Sequence, residues 1–246
     1  MSIFKKKVKI DPNKLPRHIA FIIDGNGRWA NERNLPRHLG HKEGVNNVIK
    51  IIDECYDLSI FTVSFYCFST ENWNRPKREI NHLFTYLNEF FKKNVKKMIK
   101  KSIKIHVSGD ISKLPTKTQN VINESIELTK NCNKMIVNFC LNYGGRDEII
   151  RAIKRIDEQN FDINNLNEEN FKLFLDTKDL PDVDLLIRTS GEERISNFLL
   201  YELAYAEFIF NKKYWPDYGR QDLIKDIETF KQRNRRYGGL DHGRVE

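Results

Sequence analysis

A single carboxylate and two glycines meet where a short apolar run ends: Ile19-Ala-Phe-Ile-Ile23 is followed by Asp24-Gly25-Asn26-Gly27-Arg28-Trp29. The run is rich in β-branched side chains and reads as a buried strand, and Arg28 to Arg33 reads as a helix start. Strand, Gly-rich turn and helix together offer free backbone N–H groups to an anion. Asp24 adds a second requirement. A carboxylate repels a phosphate unless a divalent cation lies between them, so the pattern suits a Mg²⁺-bridged phosphate ester. The same residues also suit an ordinary tight turn whose Asp caps the following helix.

Similar chemistry recurs after the other expected strands, at Ser69-Thr70-Glu71-Asn72-Trp73-Asn74-Arg75-Pro76, Ser108-Gly109-Asp110, Asn142-Tyr143-Gly144-Gly145-Arg146 and Arg188-Thr189-Ser190-Gly191-Glu192. Four of these five strand ends carry an arginine. Arg37 and His41 add cationic donors before the second helix, and Arg188, Arg194 and Ser196 form another cluster around Gly191. Arginine suits a diphosphate because its fork can engage two oxygens at once. Any one of these stretches alone is explained by a polar surface loop. Together they give two groups of anion ligands, one on each side of the metal site.

The elements that must position them alternate along the chain. Strands are expected at 19–23, 61–68, 103–107, 135–141, 185–189 and 207–210. Helices are expected near 40–57, 79–101, 116–130, 146–159, 167–175, 197–204 and 221–236. This alternation implies an α/β fold, a single domain with a mainly parallel central sheet and helices on both faces. In such sheets the site lies beyond the carboxyl ends of the strands. Two of the helices are amphipathic. Ile80, Leu83, Phe84, Leu87, Phe91, Val95 and Met98 share a stripe, while Lys92, Lys93, Lys96, Lys97, Lys100 and Lys101 occupy the other faces. Val45, Val48, Ile49, Ile52 and Tyr56 repeat the pattern on the preceding helix. Such stripes either pack on the sheet or line an apolar channel, and the lysine face is either solvated or meets acidic lipid head groups.

The chain has 246 residues, 31% of them charged and 39% hydrophobic, which predicts one folded domain. The balance of 42 Lys+Arg against 34 Asp+Glu gives +8 and predicts an anionic partner, whether nucleic acid, phosphorylated metabolite or acidic lipid surface. No apolar run is long enough to span a membrane, and the basic start, Met1 to Lys7, lacks the apolar stretch of a signal peptide. The expected location is the cytoplasm, with at most peripheral contact at the inner face of the membrane. Cys55, Cys67, Cys132 and Cys140 show no Cys-x-x-Cys spacing, which predicts reduced thiols and no zinc site.

These blocks resemble the cis-prenyltransferases, most closely the bacterial undecaprenyl diphosphate synthase type, over about residues 16–240. The resemblance is carried by His18 to Ala30, Gly40-His41-Lys42-x-Gly44, Phe68 to Pro76, Asn142 to Arg146, Asp184 to Glu192, Arg194 to Leu200, and Ala204-Tyr-Ala-Glu207. Ile23, Thr70, Tyr201, Glu202 and Glu193 depart from the usual residues. The resemblance implies condensation of isopentenyl diphosphate onto farnesyl diphosphate with Z geometry, giving an undecaprenyl lipid-carrier precursor. It implies a Mg²⁺ cofactor, with Asp24 the catalytic, metal-associated carboxylate and Glu207 a second metal ligand. It makes Gly25, Asn26, Gly27, Arg28, Trp29, Arg37 and His41 ligands of the allylic substrate, and Arg188, Arg194 and Ser196 ligands of isopentenyl diphosphate. Phe68, Ser69, Thr70, Glu71, Asn72, Trp73 and Arg75 match the substrate-contacting catalytic loop, in which Asn72 or Ser69 could position the proton lost from C2. By the same analogy an apolar tunnel runs past Leu87 and Phe91 on the helix wall to a floor near Met135 and Val137. Residues 1–15 form a basic extension, and 237–246 a tail beside the partner's site in a homodimer, with Arg236 and Gly238 reaching across.

Other readings have less behind them. Gly25-x-Gly27-x-x-Ala30 also fits a dinucleotide fingerprint, but the position for its acidic residue falls within a helical stripe near Val48 to Asp53. No Gly-x-x-x-x-Gly-Lys-Ser/Thr and no paired Asp-Asp-x-x-Asp motif is present. A nucleic-acid-binding protein would use the lysine helix, yet no recognition motif supports one, so no nucleic acid is expected as partner. A non-catalytic partner subunit is the remaining alternative. The joint presence of Asp24, Asn72 and Glu207 argues against it.

Overall fold

The computed structural model describes residues 15–233. Its regular elements are β1 (His18–Ile22), α1 (Asn26–Glu32), α2 (Arg37–Asp57), β2 (Thr62–Ser69), α3 (Lys77–Lys100), β3 (Ile103–Ser108) and α4 (Thr116–Thr129). Then follow β4 (Met135–Tyr143), α5 (Gly145–Glu158), the one-turn α6 (Glu168–Phe171), β5 (Leu185–Arg188), β6 (Glu207–Phe210) and α7 (Arg220–Lys231). The six strands form one sheet in the order β3-β4-β2-β1-β5-β6, with every pairing parallel. The earliest strand is thus central, flanked by β2 and β5. Their carboxyl ends converge beside Asp24.

Both faces of the sheet are covered, and the alternation of side chains decides which residue serves which face. Ile19, Phe21, Val63, Phe65, Val137 and Phe139 pack under α2, α3, α4 and α7, while Ala20, Ile22, Cys140 and Leu186 meet Phe198, Leu199 and Leu203. An aromatic series runs through the first layer: Phe21 stacks on Phe65 at 5.3 Å, and Trp215 lies 5.8 Å from Phe21. Such pairs add about 0.5–1.5 kcal/mol each beyond their buried area.

A polar ladder crosses the buried strands. The His18 ring bonds the Ser64 hydroxyl and the Pro181 carbonyl at 2.8 Å each, Asn138 donates to Ser64, and Ser108 donates to Asn138. Burial lowers the His18 pKa to about 4, more than the Pro181 carbonyl, Asp184 and Asp182 raise it, so the ring is neutral and can both donate and accept.

Residues 197–204, expected as a helix, are irregular. Ser196, Asn197 and Leu199 have φ of 50°, 63° and 38°, and one helix-like bond, Leu203 N–H to Leu199 C=O, is formed there. The expected helix at 167–175 is the single turn α6 followed by a short 3₁₀ turn, Lys172–Phe174. The end of the last expected helix, the tail 237–246 and nearly all of the basic extension lie outside the described residues.

Candidate active site

Asp24 follows β1 and is held from three directions. Its Oδ1 accepts the Gly25 N–H at 2.7 Å; its Oδ2 accepts Arg188 Nη2 at 2.9 Å and Arg28 Nη2 at 3.3 Å. Burial would raise its pKa, but the Arg188 bond, the Gly25 N–H and the two guanidinium charges outweigh it and leave the carboxyl below its ordinary value. Asp24 is an anion at neutral pH.

The turn after it is set by close packing. Gly25 sits at φ 100°, and a Cβ there would lie 2.7 Å from Tyr214 and 2.8 Å from Ser190. A Cβ at Gly40 of α2 would meet the Asn26 carbonyl oxygen at 2.0 Å, and one at Gly44 the Asn26 side-chain oxygen at 2.2 Å. Two glycines four residues apart on α2 therefore let α1 settle against it. The first turn of α1 keeps N–H groups that the helix itself cannot satisfy. Arg37 lies directly over Gly27, 2.6 Å from where a Cβ would be.

Arg188 ends β5 and is only 4% exposed. Its Nη1 donates to Arg194 C=O at 2.5 Å and Ser196 Oγ at 2.7 Å, its Nη2 to Asp24, while its buried Nε has no partner among the described residues. Arg194 is paired with Glu192 at 2.5 Å, and Glu192 also accepts Arg28 at 2.9 Å. Arg28 thus bridges Asp24 to Glu192.

Glu79, at the start of α3, gathers three basic side chains: His41 Nε2 at 3.1 Å, Arg75 Nη1 at 3.3 Å and Arg37 Nε at 3.6 Å. Burial raises its pKa less than His41, Arg37 and Arg75 lower it, so it stays ionised and serves as their common counterion. Burial of His41 is the largest effect on that ring and lowers its pKa, with Glu79 opposing. The sequence signal for Glu79 was its i,i+4 spacing from Arg75.

Many of these groups line a cavity of about 750 Å³, whereas Arg28, Glu79 and Glu192 do not. Asp24, Gly25, Asn26, Gly27, Arg37, His41, Ser69, Glu71, Asn72, Arg75, Arg188, Arg194 and Ser196 all face it, with Arg146 and Asn197 beside them. Its interior is apolar, walled by Phe68, Val45 and Val48 of α2, Leu83, Phe84 and Leu87 of α3, and Leu141. Phe90 and Phe139 line it too, in edge contact at 5.5 Å.

Several expected positions lie elsewhere. Phe91, Met135 and Val137 are fully buried and do not line the cavity. Phe91 is turned one position further around α3, against Phe139 at 5.0 Å. Val137 and Met135 lie two and four residues back along β4 from Phe139, about 7 and 13 Å deeper at strand spacing. Trp29 turns outward, donating to Asp217 under Arg33. Thr70 and Trp73 support the turn from behind, Trp73 through a 2.7 Å bond to Asn142 Oδ1 and contacts with Phe68 and Phe84. Glu207 opens β6 opposite Leu185, three residues before the pair Arg188–Phe210. It is two strands and at least about 15 Å from Asp24 by strand spacing, so within one subunit the two carboxylates cannot share an ion. Instead Arg233 pairs with it at 2.8 Å. Arg236 and Gly238 lie outside the described residues. The four cysteines are free, as expected.

Comparison with known proteins agrees with this geometry. An isoprenyl transferase of Clostridium tetani is 47% identical over 240 residues, covering 96% of this chain and 94% of that protein. A ditrans,polycis-undecaprenyl-diphosphate synthase, farnesyl-diphosphate specific, from Lactiplantibacillus plantarum is 44% identical over 243 residues, covering 96% and 94%. The crystal structure of lavandulyl diphosphate synthase from Lavandula x intermedia, in complex with dimethylallyl diphosphate, superposes with a TM-score of 0.89 at 32% identity, covering 92% of this chain and 100% of that one. The family model described as "Putative undecaprenyl diphosphate synthase" matches residues 22–238. With its anion-binding rim over an apolar cavity, the chain belongs to this undecaprenyl diphosphate synthase family of prenyltransferases.

Proposed function

We propose that the protein condenses isopentenyl diphosphate repeatedly onto farnesyl diphosphate, with Z geometry, to give undecaprenyl diphosphate. The observation that carries this reading is the gathering of Asp24, the Gly25–Gly27 turn, Arg37, His41, Arg188 and Arg194 on one apolar cavity. The allylic diphosphate belongs at the Gly25–Gly27 turn with Arg37 and His41. The second diphosphate belongs on Arg188, Arg194 and Ser196. Its butenyl carbon then faces the allylic C1.

The allylic carbon–oxygen bond breaks, and its electron pair leaves with the diphosphate. The isopentenyl double bond attacks the resulting cation at C1, and the proton lost from C2 passes to the departing diphosphate. Fixed N–H groups and guanidinium groups stabilise the growing negative charge without reorganising. Asn72 and Ser69 brace each other, Asn72 Oδ1 accepting the Ser69 N–H at 3.2 Å, and so hold the face where that proton leaves.

Among the described residues no three metal-ligating side chains cluster. The donor set still fits Mg²⁺, which typically takes one or two carboxylates and fills its shell with phosphate oxygens and water. Asp24 would hold it, and when bound it supplies charge neutralisation at the leaving diphosphate.

Growth into the cavity is downhill, since each buried methylene gains about 0.8 kcal/mol. A long product therefore leaves slowly unless an apolar phase accepts it. No helix among the described residues is long and apolar enough to cross a membrane. Lys92, Lys93, Lys96 and Lys100 stand exposed on α3, and a transient contact with an acidic membrane surface there completes the proposal, as does a homodimer. The test is incubation with farnesyl diphosphate, labelled isopentenyl diphosphate and Mg²⁺, with and without chelator, followed by product sizing. A polyprenyl ladder that vanishes with chelator is expected. No incorporation, or incorporation indifferent to chelator, would end the proposal.

A further inference from the structure

We infer that Asn197 is a positioning residue: it ties the turn carrying Glu71 to the turn carrying Arg194 and Ser196, so that the two halves of the anion site keep one spacing. The inference takes its substrates from the prenyl-transfer reading, but the tie itself stands on contacts.

Asn197 lies in the left-handed region at φ 63°, directly after Ser196 at φ 50°. Such a conformation strains a residue with a Cβ, asparagine being among the more tolerant. Three bonds hold it there. Its backbone carbonyl accepts the Gly145 N–H at 2.7 Å and its Oδ1 accepts the Arg146 N–H at 2.9 Å, so it closes the N-terminus of α5 from another loop. Its Nδ2 donates to Glu71 Oε1 at 3.0 Å. The partners fix which way the amide points, because the Arg146 N–H can only donate and an ionised carboxylate can only accept. Only an amide supplies both functions at this spacing. Gly144 leaves the room for it: a Cβ there would stand 2.8 Å from Asn197 Nδ2 and 2.8 Å from Thr70 Oγ1.

The arrangement fixes where a charge sits. Glu71 lines the cavity, and although burial would raise its pKa, its own N–H and the Asn197 amide hold it below the ordinary value, so it stays ionised. Asn197 engages that carboxylate, and its neighbour Ser196 accepts Arg188, which reaches Asp24. One continuous path of bonds therefore joins the turn after β2 to the metal-side carboxylate.

Asn197→Asp tests the tie, because it keeps the acceptor for Arg146 and replaces the donor to Glu71 with a like charge. The expected result is a KM for isopentenyl diphosphate raised about tenfold, as for loss of a charge-assisted bond, with the KM for farnesyl diphosphate nearly unchanged. Adding Glu71→Gln in that background returns a donor and should recover most of the loss. Gly144→Ala is an independent route, since its Cβ displaces the amide without lining the cavity, and should raise the same KM. A double variant no better than Asn197→Asp would overturn the inference, as would wild-type KM values in Gly144→Ala. Calorimetric titration with inorganic pyrophosphate runs alongside, and the same order of affinities is expected. If the wild-type protein transfers no isopentenyl group, the prenyl-transfer reading fails, and this titration alone then decides for or against the tie.

Discussion

Asp24 is held by two arginines, Arg28 and Arg188, that also bond Glu192 and Ser196 in turn. An ionised carboxylate between Arg28 and Arg188 keeps both guanidinium groups oriented before any ligand arrives, and orientation in advance is what lowers a barrier. Asp24→Ala should therefore lower kcat by at least about 10²-fold while circular dichroism shows the fold retained. Turnover near the wild-type rate would remove Asp24 from the chemistry. Most residues of this rim could be read from the chain because they lie at or just past the end of a recognisable strand, Arg37 and His41 at the start of α2 excepted. Glu79 and Asn197 could not be read in the same way. Their importance comes from partners 38 and 126 positions away, His41 and Glu71; the Arg75–Glu79 spacing marks one local pair but neither of these distant ones. Glu207 is a different case, because its distance from Asp24 holds within one subunit. Its surrounding motif is familiar, but its register on β6 places it at the far end of the strand from Asp24.

The helices divide the work between holding the head group and housing the tail. On α2, Gly40 and Gly44 seat α1, and one turn further on Val45 and Val48 begin the apolar wall. On α3, Glu79 gathers cations at the first turn, and Leu83, Phe84 and Leu87 continue inward. The period of 3.6 made both stripes visible in the sequence, but it could not say which apolar side chains face a void and which face the sheet. Leu87 faces the void; Phe91 does not. Leu87→Trp should therefore shorten the products seen on thin-layer separation, with the first condensation still running. An unchanged product length would show that the chain does not grow along this wall. The same limit explains residues 197–204, whose Leu199, Leu200 and Leu203 are spaced like a helix face. There the Asn197 carbonyl bonds α5 instead of its own continuation, and three left-handed residues break the helix that periodicity suggested.

Across the whole molecule, the sheet face away from the cavity carries a cost that depends on pH. Glu148 and Glu202 are each 1% exposed. Burial first, then the charge of Glu202, raises the Glu148 pKa to about 8 despite bonds from Tyr143 and Asp176. Burial likewise raises Glu202, whose Oε1 accepts the Thr177 hydroxyl and whose Oε2 has no partner. A carboxyl raised on folding takes up protons that the unfolded chain releases, so stability declines as pH rises from its ordinary value towards 8. His18 acts at the other end: lowered to about 4, it contributes stability above its ordinary 6.5 that is lost as pH falls from there towards 4. Glu202→Gln should raise the melting temperature, and by more at about pH 8.5 than at about pH 5.5. A gain independent of pH would count against proton uptake by these buried carboxyls on folding. The central position of β1 has a temporal consequence as well. Asp24 and Arg188 are 164 residues apart, so at roughly 5–20 residues per second the ribosome needs about 8–33 s to supply the second half of the salt bridge. Until then the first strand has emerged without one of its two neighbours. Nascent chains arrested before β5 clears the exit tunnel should fail to retain inorganic pyrophosphate, whereas arrest after β6 has emerged should restore retention.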